Sequence, residues 1–331
     1  MILPKKIKKG DAIGIVSTSY PYGTLLKNRV ERAIKNIESI GFKVIVGDSV
    51  FKKTGYTSGS AKERADDVNK MFANKNVRAI ICLNGGSTTN QILPHIDYNL
   101  IKKNPKIIVG SSDLTSILLA INKKTGLVTF HGPMIIPQFG EFPNILQYSL
   151  DSFLDTLARG NDQRIVPSKE WTDEFLDGTK GEDNRPREMR PNNSYEFIKE
   201  GKAEGVLVGG NLRIITGLAG TRYFPDFKEA IFFWEDASVG IDEIDRNLTH
   251  LEMLDVFNKI KGMVVGRILA LKEKDGVKIS DLLKQKFSQY KFPIIIGADF
   301  GHTDPVLTIP IGVNSAIDFF EKKWVIGKSV S

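Results

Sequence analysis

The stretch KIIVGSSDLTSILLAINK, residues 106–123, joins a short apolar run to a longer one through a single polar turn. Its β-branched beginning, residues 107–109, is typical of a buried strand, and the apolar positions after Asp113 predict a buried helix. Ser112 falls at the turn, at the positive end of the helix dipole and beside unpaired backbone N–H groups. This order predicts a nucleophile elbow, although GxSD lacks the second glycine of GxSxG. The alternative is that Ser111, Ser112 and Asp113 only cap the helix.

The first half of the chain alternates apolar strands with amphipathic helices. We predict strands at 11–19, 43–48, 77–86, 106–110 and 127–133, and helices at 24–40, 60–73, 89–93, 113–123 and 142–157. This alternation is typical of an α/β fold with a doubly wound parallel sheet, in which ligands bind at the carboxyl ends of the strands. Ser112, Gly85–Gly86 and His131–Gly132 follow such strands, so we expect them to be neighbours in space.

The second half predicts a separate, mixed α/β domain. Its expected strands are 204–211, 230–236, 262–268, 292–301, 308–312 and 315–320, with helices at 212–218, 240–257 and 279–290. Between the halves, DGTKGEDNRPREMRPNNS (177–194) has Met189 as its only large apolar residue and predicts a long exposed loop. Loops of this length are usually functional or disordered. We therefore expect one domain at 1–165, an inter-domain loop at 166–200 and a second domain at 201–331.

Composition narrows the class of protein. A length of 331 residues exceeds the roughly 250–300 at which one core divides, which favours two domains. The single cysteine, Cys82, excludes an internal disulfide framework and any CxxC site. The net charge of +7 is scattered among 39 acidic residues with no basic stripe, so no nucleic-acid partner is expected. No signal peptide or membrane-length apolar segment is evident, which predicts a cytoplasmic protein without a membrane partner.

An activated serine needs a base within hydrogen-bond reach and an acid that orients the base. Of the four histidines, His250 lies in a predicted helix, His95 in a loop leading away from the turn, and His131 at a strand end. His302 sits on a glycine-flanked loop after a strand, where a catalytic base is expected; the alternative is a turn histidine exposed to solvent.

Two adjacent acids, Glu235 and Asp236, close a predicted strand, and either could orient the histidine. They point to opposite faces of the strand, so only one can reach His302, and the spacing does not decide which. The order serine, acid, histidine matches one class of serine hydrolases.

Backbone amides of Asp113 and of Gly86, in NGGSTTN, are the expected oxyanion hole. The alternative is a phosphate-binding loop, although neither GxGxxG nor GxxxxGK[ST] occurs. No spacing of His, Cys, Asp or Glu predicts a metal site, so no metal or other cofactor is expected.

Four segments together resemble the LD-carboxypeptidase family of serine peptidases. They are GSSDLT (110–115), NGGSTTNQILPHID (84–97), FFWED (232–236) and GADFGHTDPVLTIPIG (297–312). The match covers essentially the whole chain, and the combination of GxSD with ADFGHT is more specific than either motif alone. Within the family, the chain is most similar to the branch of the microcin C self-immunity peptidases.

The resemblance implies a catalytic triad of Ser112, Glu235 and His302, with the oxyanion hole at the amides of Gly86 and Asp113. It also implies a Rossmann-like amino-terminal domain and a swivelling β/β/α carboxy-terminal domain. The expected protein is a cytoplasmic, metal-independent homodimer with its site between the domains.

The family contains two activities, and the resemblance leaves both open. One branch releases the terminal D-alanine of a murein tetrapeptide, whereas the microcin branch cleaves an aminoacyl-nucleotide amide and stacks an inter-domain aromatic on the base. Trp171 is the expected stacking residue, the alternative being that it only pins the linker to a domain. Asn211, in GGN, is a candidate substrate contact. The segment ASVG (237–240) lacks the basic residues expected for a phosphate-bearing substrate. A non-catalytic ligand-binding protein on the same scaffold is the third alternative.

Overall fold

The computed structural model describes residues 1–331 of the chain, which form two large β-sheets, a separate two-stranded sheet and the covering helices. The strands are β1 (Ala12–Val16), β2 (Lys43–Val46), β3 (Val77–Cys82), β4 (Ile107–Gly110), β5 (Thr129–His131), β6 (Gln163–Arg164), β7 (Glu170–Trp171), β8 (Arg190–Pro191), β9 (Glu196–Lys199), β10 (Lys202–Asn211), β11 (Ala230–Glu235), β12 (Gly262–Arg267), β13 (Ile294–Gly301), β14 (Ile309–Ile311), β15 (Asn314–Asp318) and β16 (Lys323–Ile326).

The α-helices accompany these strands in alternation through most of the chain. They are α1 (Tyr22–Leu25), α2 (Lys27–Ser39), α3 (Ala61–Ala73), α4 (Tyr98–Lys103), α5 (Thr115–Thr125), α6 (Gln147–Leu154), α7 (Leu212–Gly217), α8 (Ile241–Met253) and α9 (Ile279–Lys286). Short 3-10 or π-helical segments cover Thr89–His95, Ser112–Leu114, Ile135–Phe139, Asp155–Arg159 and Gly178–Lys180. No helix combines the length and the apolar character needed to cross a lipid bilayer.

The first sheet has the strand order β14-β5-β4-β3-β1-β2, and β1 to β5 run parallel. Every residue of β1, β4 and β5 is buried, as expected for a parallel sheet covered on both faces. The helix α5, which follows the nucleophile turn, is capped after Thr125 by Gly126, which has a left-handed φ of +73°. The predicted parallel α/β sheet is therefore confirmed.

The second sheet has the order β6-β16-β15-β10-β11-β12-β13-β9. Its central strands β10 to β13 run parallel, and the strands on both sides of them run antiparallel. This confirms a mixed α/β second half. One continuous apolar core joins the two sheets, because it contains Ile108 and Leu118 of the first half together with Phe233 and Val264 of the second.

The segment 308–312 was predicted to close the second domain, and this was wrong. Its central residues form β14, which pairs antiparallel with β5 in the first sheet, with Ile309 opposite His131. Ile309 and Ile311 are fully buried at that edge, which explains why the chain returns there. As a result, residues 302–308 cross from the second sheet to the first, and His302 stands at the start of the crossing.

Residues 166–200, the inter-domain segment, contain more regular structure than the predicted loop. Strands β7 and β8 pair with each other, and β9 adds to the edge of the second sheet beside β13. These strands are short and largely polar, so they show no apolar alternation by which the sequence would indicate them. The predicted helix 24–40 is likewise two helices, α1 and α2, that meet at Leu26.

Candidate active site

Ser112 occupies the turn between β4 and α5 in a strained backbone conformation. Its φ is +60°, a left-handed value that costs a residue with a side chain roughly 1–3 kcal/mol. The neighbouring loop approaches closely, because a Cβ atom on Gly85 would lie 3.0 Å from the Ser112 Oγ. The turn therefore holds the hydroxyl at the carboxyl edge of the first sheet, as expected for an elbow.

His302 joins Ser112 to Glu235 across the two sheets. Its Nε2 lies 3.0 Å from the Ser112 Oγ, and its Nδ1 lies 2.7 Å from the Glu235 Oε2. With Nδ1–H donating to the carboxylate, Nε2 is free to accept the serine proton. Ser112 belongs to the first sheet, Glu235 ends β11, and His302 follows β13 at the crossing between the sheets.

The charges of Glu235 and His302 support each other. Glu235 is fully buried, and burial alone would raise its pKa, but the His302 charge and hydrogen bond outweigh burial and lower it. Burial alone would lower the pKa of His302, but the Glu235 charge and hydrogen bond raise it. The carboxylate therefore stays ionised and stabilises the protonated imidazole.

Asp236 follows the end of β11 and makes no hydrogen bond to His302. The Asn211 Nδ2 lies within reach of both carboxylates, so the expected strand alternation does not separate them. Its Oδ1 accepts from the Arg213 Nε at 2.8 Å and from the Ala237 amide at 2.8 Å. Burial raises the pKa of this carboxyl above its ordinary value. His302 is therefore hydrogen-bonded to Glu235 and not to Asp236.

Gly85, the neighbour of Gly86, approaches the helical turn that contains Ser112 and Asp113. A Cβ atom on Gly86 would lie 2.2 Å from the Ser19 Oγ, so only glycine fits there. A Cβ atom on Gly85 would lie 3.6 Å from the Asp113 amide nitrogen, which shows how closely the two loops approach. The glycine loop and the first turn after Ser112 are therefore adjacent.

Asn211 contacts the buried carboxylate instead of the open cavity. Its Nδ2 lies 3.2 Å from the Glu235 Oε1 and 3.4 Å from the Asp236 Oδ1. Its Oδ1 caps α7 by accepting from the Ile214 amide at 3.2 Å. This geometry orients Glu235 and places Asn211 behind the triad.

Trp171 is the predicted site residue that the structure does not bring to the others. Its ring lies between the guanidinium groups of Arg190 and Arg267, 4.4 Å and 5.2 Å from the ring centroid. It lines a separate cavity of about 330 Å³ at the ends of β12 and β13. Trp171 therefore contacts the second sheet through Arg267, and the stacking role expected for it stays a prediction.

His131, the other histidine near the turn, is buried without a hydrogen-bond partner on either ring nitrogen. It packs edge-on against Phe233 and Phe300, with ring centroids 5.7 Å and 6.0 Å away. Burial lowers the pKa of His131 to about 4, so its ring is neutral at neutral pH. His131 therefore serves as packing between the sheets.

A cavity of about 270 Å³ opens beside His302 and is covered by the inter-domain segment. Phe175, which is 81% exposed, lines it together with Leu176. In the sequence, Phe175 belongs to an apolar cluster with Trp171 and Leu176, just before the long loop. Nothing in that cluster indicates which aromatic lines the cavity, because an irregular segment has no periodicity.

An ion-pair cluster holds the inter-domain segment over this cavity. Arg187 reaches the Glu141 Oε2 at 2.6 Å and the Asp304 Oδ2 at 2.9 Å. Arg29 adds longer pairs to Glu141, at 3.8 Å, and to Asp183, at 3.7 Å. Because Asp304 lies two residues after His302, the cluster links the segment directly to the loop that carries the histidine.

Comparison with protein families identifies both halves of the chain. Residues 13–132 match the LD-carboxypeptidase N-terminal domain, and residues 204–317 match the LD-carboxypeptidase C-terminal domain. The protein is therefore a serine-type carboxypeptidase, a hydrolase.

Individual relatives agree with this class over nearly full length. The microcin C7 self-immunity protein MccF of Escherichia coli is 36% identical over 97% of this chain and 94% of its own. A Bacillus subtilis protein named "Probable murein peptide carboxypeptidase" is 31% identical over 99% of this chain and 95% of its own. The chain belongs to the LD-carboxypeptidase family, in its MccF-like branch.

Solved structures show the same relationship. Ligand-free MccF superposes with a TM-score of 0.94 at 34% identity and covers 100% of both chains. MccF in complex with glutamyl sulfamoyl guanosine gives the same TM-score and identity over 99% of both chains. An MccF-like protein from Bacillus anthracis has a TM-score of 0.90 at 33% identity, over 99% of this chain and 100% of its own.

Proposed function

We propose that the protein hydrolyses an amide bond with a Ser112–His302–Glu235 triad and without a metal ion. The observation that carries this proposal is the position of His302, which is within hydrogen-bond distance of Ser112 on one side and Glu235 on the other. These residues lie 190 and 67 positions from the histidine along the chain. The strained φ of Ser112 adds independent support, because such strain clusters at active sites.

In the proposed reaction, the Ser112 Oγ attacks the amide carbonyl carbon while His302 Nε2 takes the hydroxyl proton. His302 then donates that proton to the leaving amine, and an acyl-serine remains. Water, deprotonated by the same nitrogen, attacks the ester and releases the acid. General acid–base catalysis of this kind typically contributes about 10²–10⁴-fold to the rate.

The amides of Gly86 and Asp113 bind the oxyanion of each tetrahedral intermediate in this proposal. One such donor is worth about 2.7–4 kcal/mol, comparable to the contribution of the base. Glu235 holds the imidazole in the tautomer that accepts from serine and stabilises the imidazolium that forms.

We further propose an aminoacyl-nucleotide as the substrate. MccF structures hold glutamyl sulfamoyl guanosine and aspartyl sulfamoyl adenosine, both aminoacyl nucleoside analogues. In this chain Phe175, instead of Trp171, offers an exposed ring to the cavity beside His302 and is the proposed partner of the base.

A murein tetrapeptide is the second candidate substrate. Supporting it are the relative named a murein peptide carboxypeptidase and the lack of a basic residue in Ala237–Gly240. The deciding experiment incubates the purified protein with an aminoacyl sulfamoyl-adenosine and with a murein tetrapeptide, using Ser112→Ala as the blank. Release of the amino acid from the first supports our proposal, and release of D-alanine alone contradicts it.

Phe175→Ala is expected to raise KM for an aminoacyl sulfamoyl-adenosine by roughly 5- to 150-fold, with kcat little changed. Stacking of a base on an aromatic side chain is worth about 1–3 kcal/mol and acts on binding more than on the chemical step. Steady-state kinetics measures this. Phe320→Ala, which removes another exposed phenylalanine outside the cavity, is the matched control. An unchanged KM for Phe175→Ala would remove the stacking role.

A homodimer and a cytoplasmic location, both implied by the family resemblance, stay predictions. Size-exclusion chromatography with light scattering would test the first, with a mass of about twice the 36.8 kDa chain expected.

A further inference from the structure

Asp113 has a buried carboxylate in addition to the backbone amide used in the proposed mechanism. The side chain is 2% exposed, and its Oδ2 accepts three hydrogen bonds from the glycine loop. The donors are the Thr88 amide at 2.9 Å, the Thr89 amide at 2.9 Å and the Thr89 hydroxyl at 2.8 Å. One residue of the nucleophile turn thus holds the loop that carries Gly86.

The same loop is held from its other side by Ser19 and Arg64. The Ser19 Oγ accepts from the amides of Ser87 and Thr88, both at 3.1 Å. Arg64, only 1% exposed, donates from Nη1 to the Thr88 carbonyl at 3.2 Å. Its Nη1 also bonds to the Thr18 carbonyl, so the guanidinium connects the end of β1 to the glycine loop.

Two buried charges therefore face each other across Thr88. An unpaired carboxylate in this position would be strongly unfavourable, whereas three hydrogen bonds and a nearby cation satisfy it. Burial lowers the pKa of Arg64, and the charge of Asp113 opposes that effect. The two charged side chains are buried, with Asp113 2% and Arg64 1% exposed, and neither lines the cavity beside His302.

The distance between the two proposed oxyanion donors depends on this network. Gly86 lies two residues before Thr88, and the other donor is the amide of Asp113 itself. Oxyanion donors must lie about 2.7–3.1 Å from the developing charge, and a 1 Å displacement can cost about 10²-fold in rate.

We propose that the Asp113 carboxylate, with Arg64 as its buried counter-charge, is the positioning group of the oxyanion hole. It fixes the Gly86 loop against the nucleophile turn, so that both amides point at one site. This inference rests on the proposed function, because it assumes that Ser112 is the nucleophile and that the two amides bind the oxyanion.

The test measures the rate at which a fluorophosphonate probe labels Ser112 in the full-length protein. The phosphoryl oxygen of the probe occupies the oxyanion position. The labelling rate therefore depends on the geometry of the oxyanion hole and can be measured before the substrate is identified. Asp113→Ala is expected to slow labelling by roughly 10²-fold. Asp113→Asn keeps a neutral acceptor and is expected to slow it by about 10-fold, since charge-assisted hydrogen bonds are roughly twice as strong.

Two readouts separate a positioning role from general damage. The pH midpoint of labelling should stay unchanged, because the His302–Glu235 pair is intact in both variants. Hydrogen exchange at the Thr88 and Thr89 amides should become faster in Asp113→Ala. The control is Asp97→Ala, which removes a similar carboxylate bond, to the Leu100 amide at 2.8 Å, in an exposed helix cap and should label at the wild-type rate.

The outcomes distinguish this inference from the proposed function. If the wild-type protein is not labelled at Ser112, both fail. If the wild type is labelled and folded Asp113→Ala reacts equally fast, this inference alone is overturned. Should Asp113→Ala not fold, Asp113→Asn decides in the same way: wild-type labelling overturns the inference, and slower labelling with an unchanged pH midpoint supports it.

Discussion

Ser112→Ala is expected to lose amide hydrolysis by at least about 10⁴-fold and to remain folded. Removing the nucleophile of a serine-protease triad costs up to about 10⁶ in kcat, and the residual rate comes from the oxyanion hole and substrate binding. No other hydroxyl lies within hydrogen-bond distance of His302, so no neighbouring side chain can replace the serine.

The folded state should tolerate this change. It removes one hydrogen bond, to His302 Nε2, with a net contribution of about 0.5–1.5 kcal/mol, and leaves the positive φ in place. Single-turnover hydrolysis, together with the thermal unfolding midpoint, measures both effects. Ser111→Ala is the matched control and should retain activity within about tenfold, because the Ser111 side chain makes no capping hydrogen bond. Substantial hydrolysis by Ser112→Ala would disprove the mechanism.

The nucleophile turn could be predicted from sequence because its signals are local. A β-branched run, a glycine, two serines and an apolar helix lie within residues 106–123, and each follows from short-range backbone preferences. The strand ends that meet around Ser112 could also be anticipated, since parallel strands of an α/β sheet share one carboxyl edge. Those inferences needed only the order of elements along the chain.

The choice between Glu235 and Asp236 needed either the family resemblance or the coordinates. Alternation along the predicted strand 230–236 implies that the two side chains point to opposite faces, but not which of them meets His302. In the structure the strand ends at Glu235, so alternation does not apply to Asp236. Which carboxylate meets His302 depends on the crossing from β13 to β14, which the sequence did not indicate because residues 309–311 read equally well as a strand of either sheet. Which sheet a strand joins is decided by tertiary packing between segments that are distant in the chain, and local sequence patterns do not contain that information.

The surroundings of Trp171 could not be predicted from the sequence for a similar reason. Composition identifies an aromatic in the inter-domain segment, but its direction depends on the path of that segment. Long-range contacts hold the segment on that path, among them the ion pairs of Arg187 with Glu141 and Asp304. As a result, Trp171 lines the cavity at the ends of β12 and β13, whereas Phe175 lines the cavity beside His302. No local sequence pattern predicts this difference.

Glu235→Gln is expected to lower kcat by about 10⁴-fold with the fold preserved. Glutamine has nearly the same shape, and its amide oxygen can still accept from Asn211. Its NH₂ group, however, can donate to His302 Nδ1, which would leave Nε2 protonated and unable to accept the serine proton. The loss seen when a triad aspartate becomes asparagine has this origin and about this size. Asp236→Asn, an identical chemical change one residue away, should cost less than tenfold.

The pH profile gives a second, independent signature of the same pair. His302 acts as a base only when neutral, so activity is lost as the pH falls through its pKa. Glu235 raises that pKa above the ordinary value of 6.5, and the acid limb of kcat/KM for the wild-type protein should therefore lie above pH 6.5. In Glu235→Gln the negative charge that raises the pKa of His302 is gone, and burial then lowers that pKa. The acid limb of kcat/KM should therefore move to lower pH, while the maximal kcat/KM falls. An acid limb that does not move, or that moves to higher pH, would show that Glu235 does not control the protonation of His302.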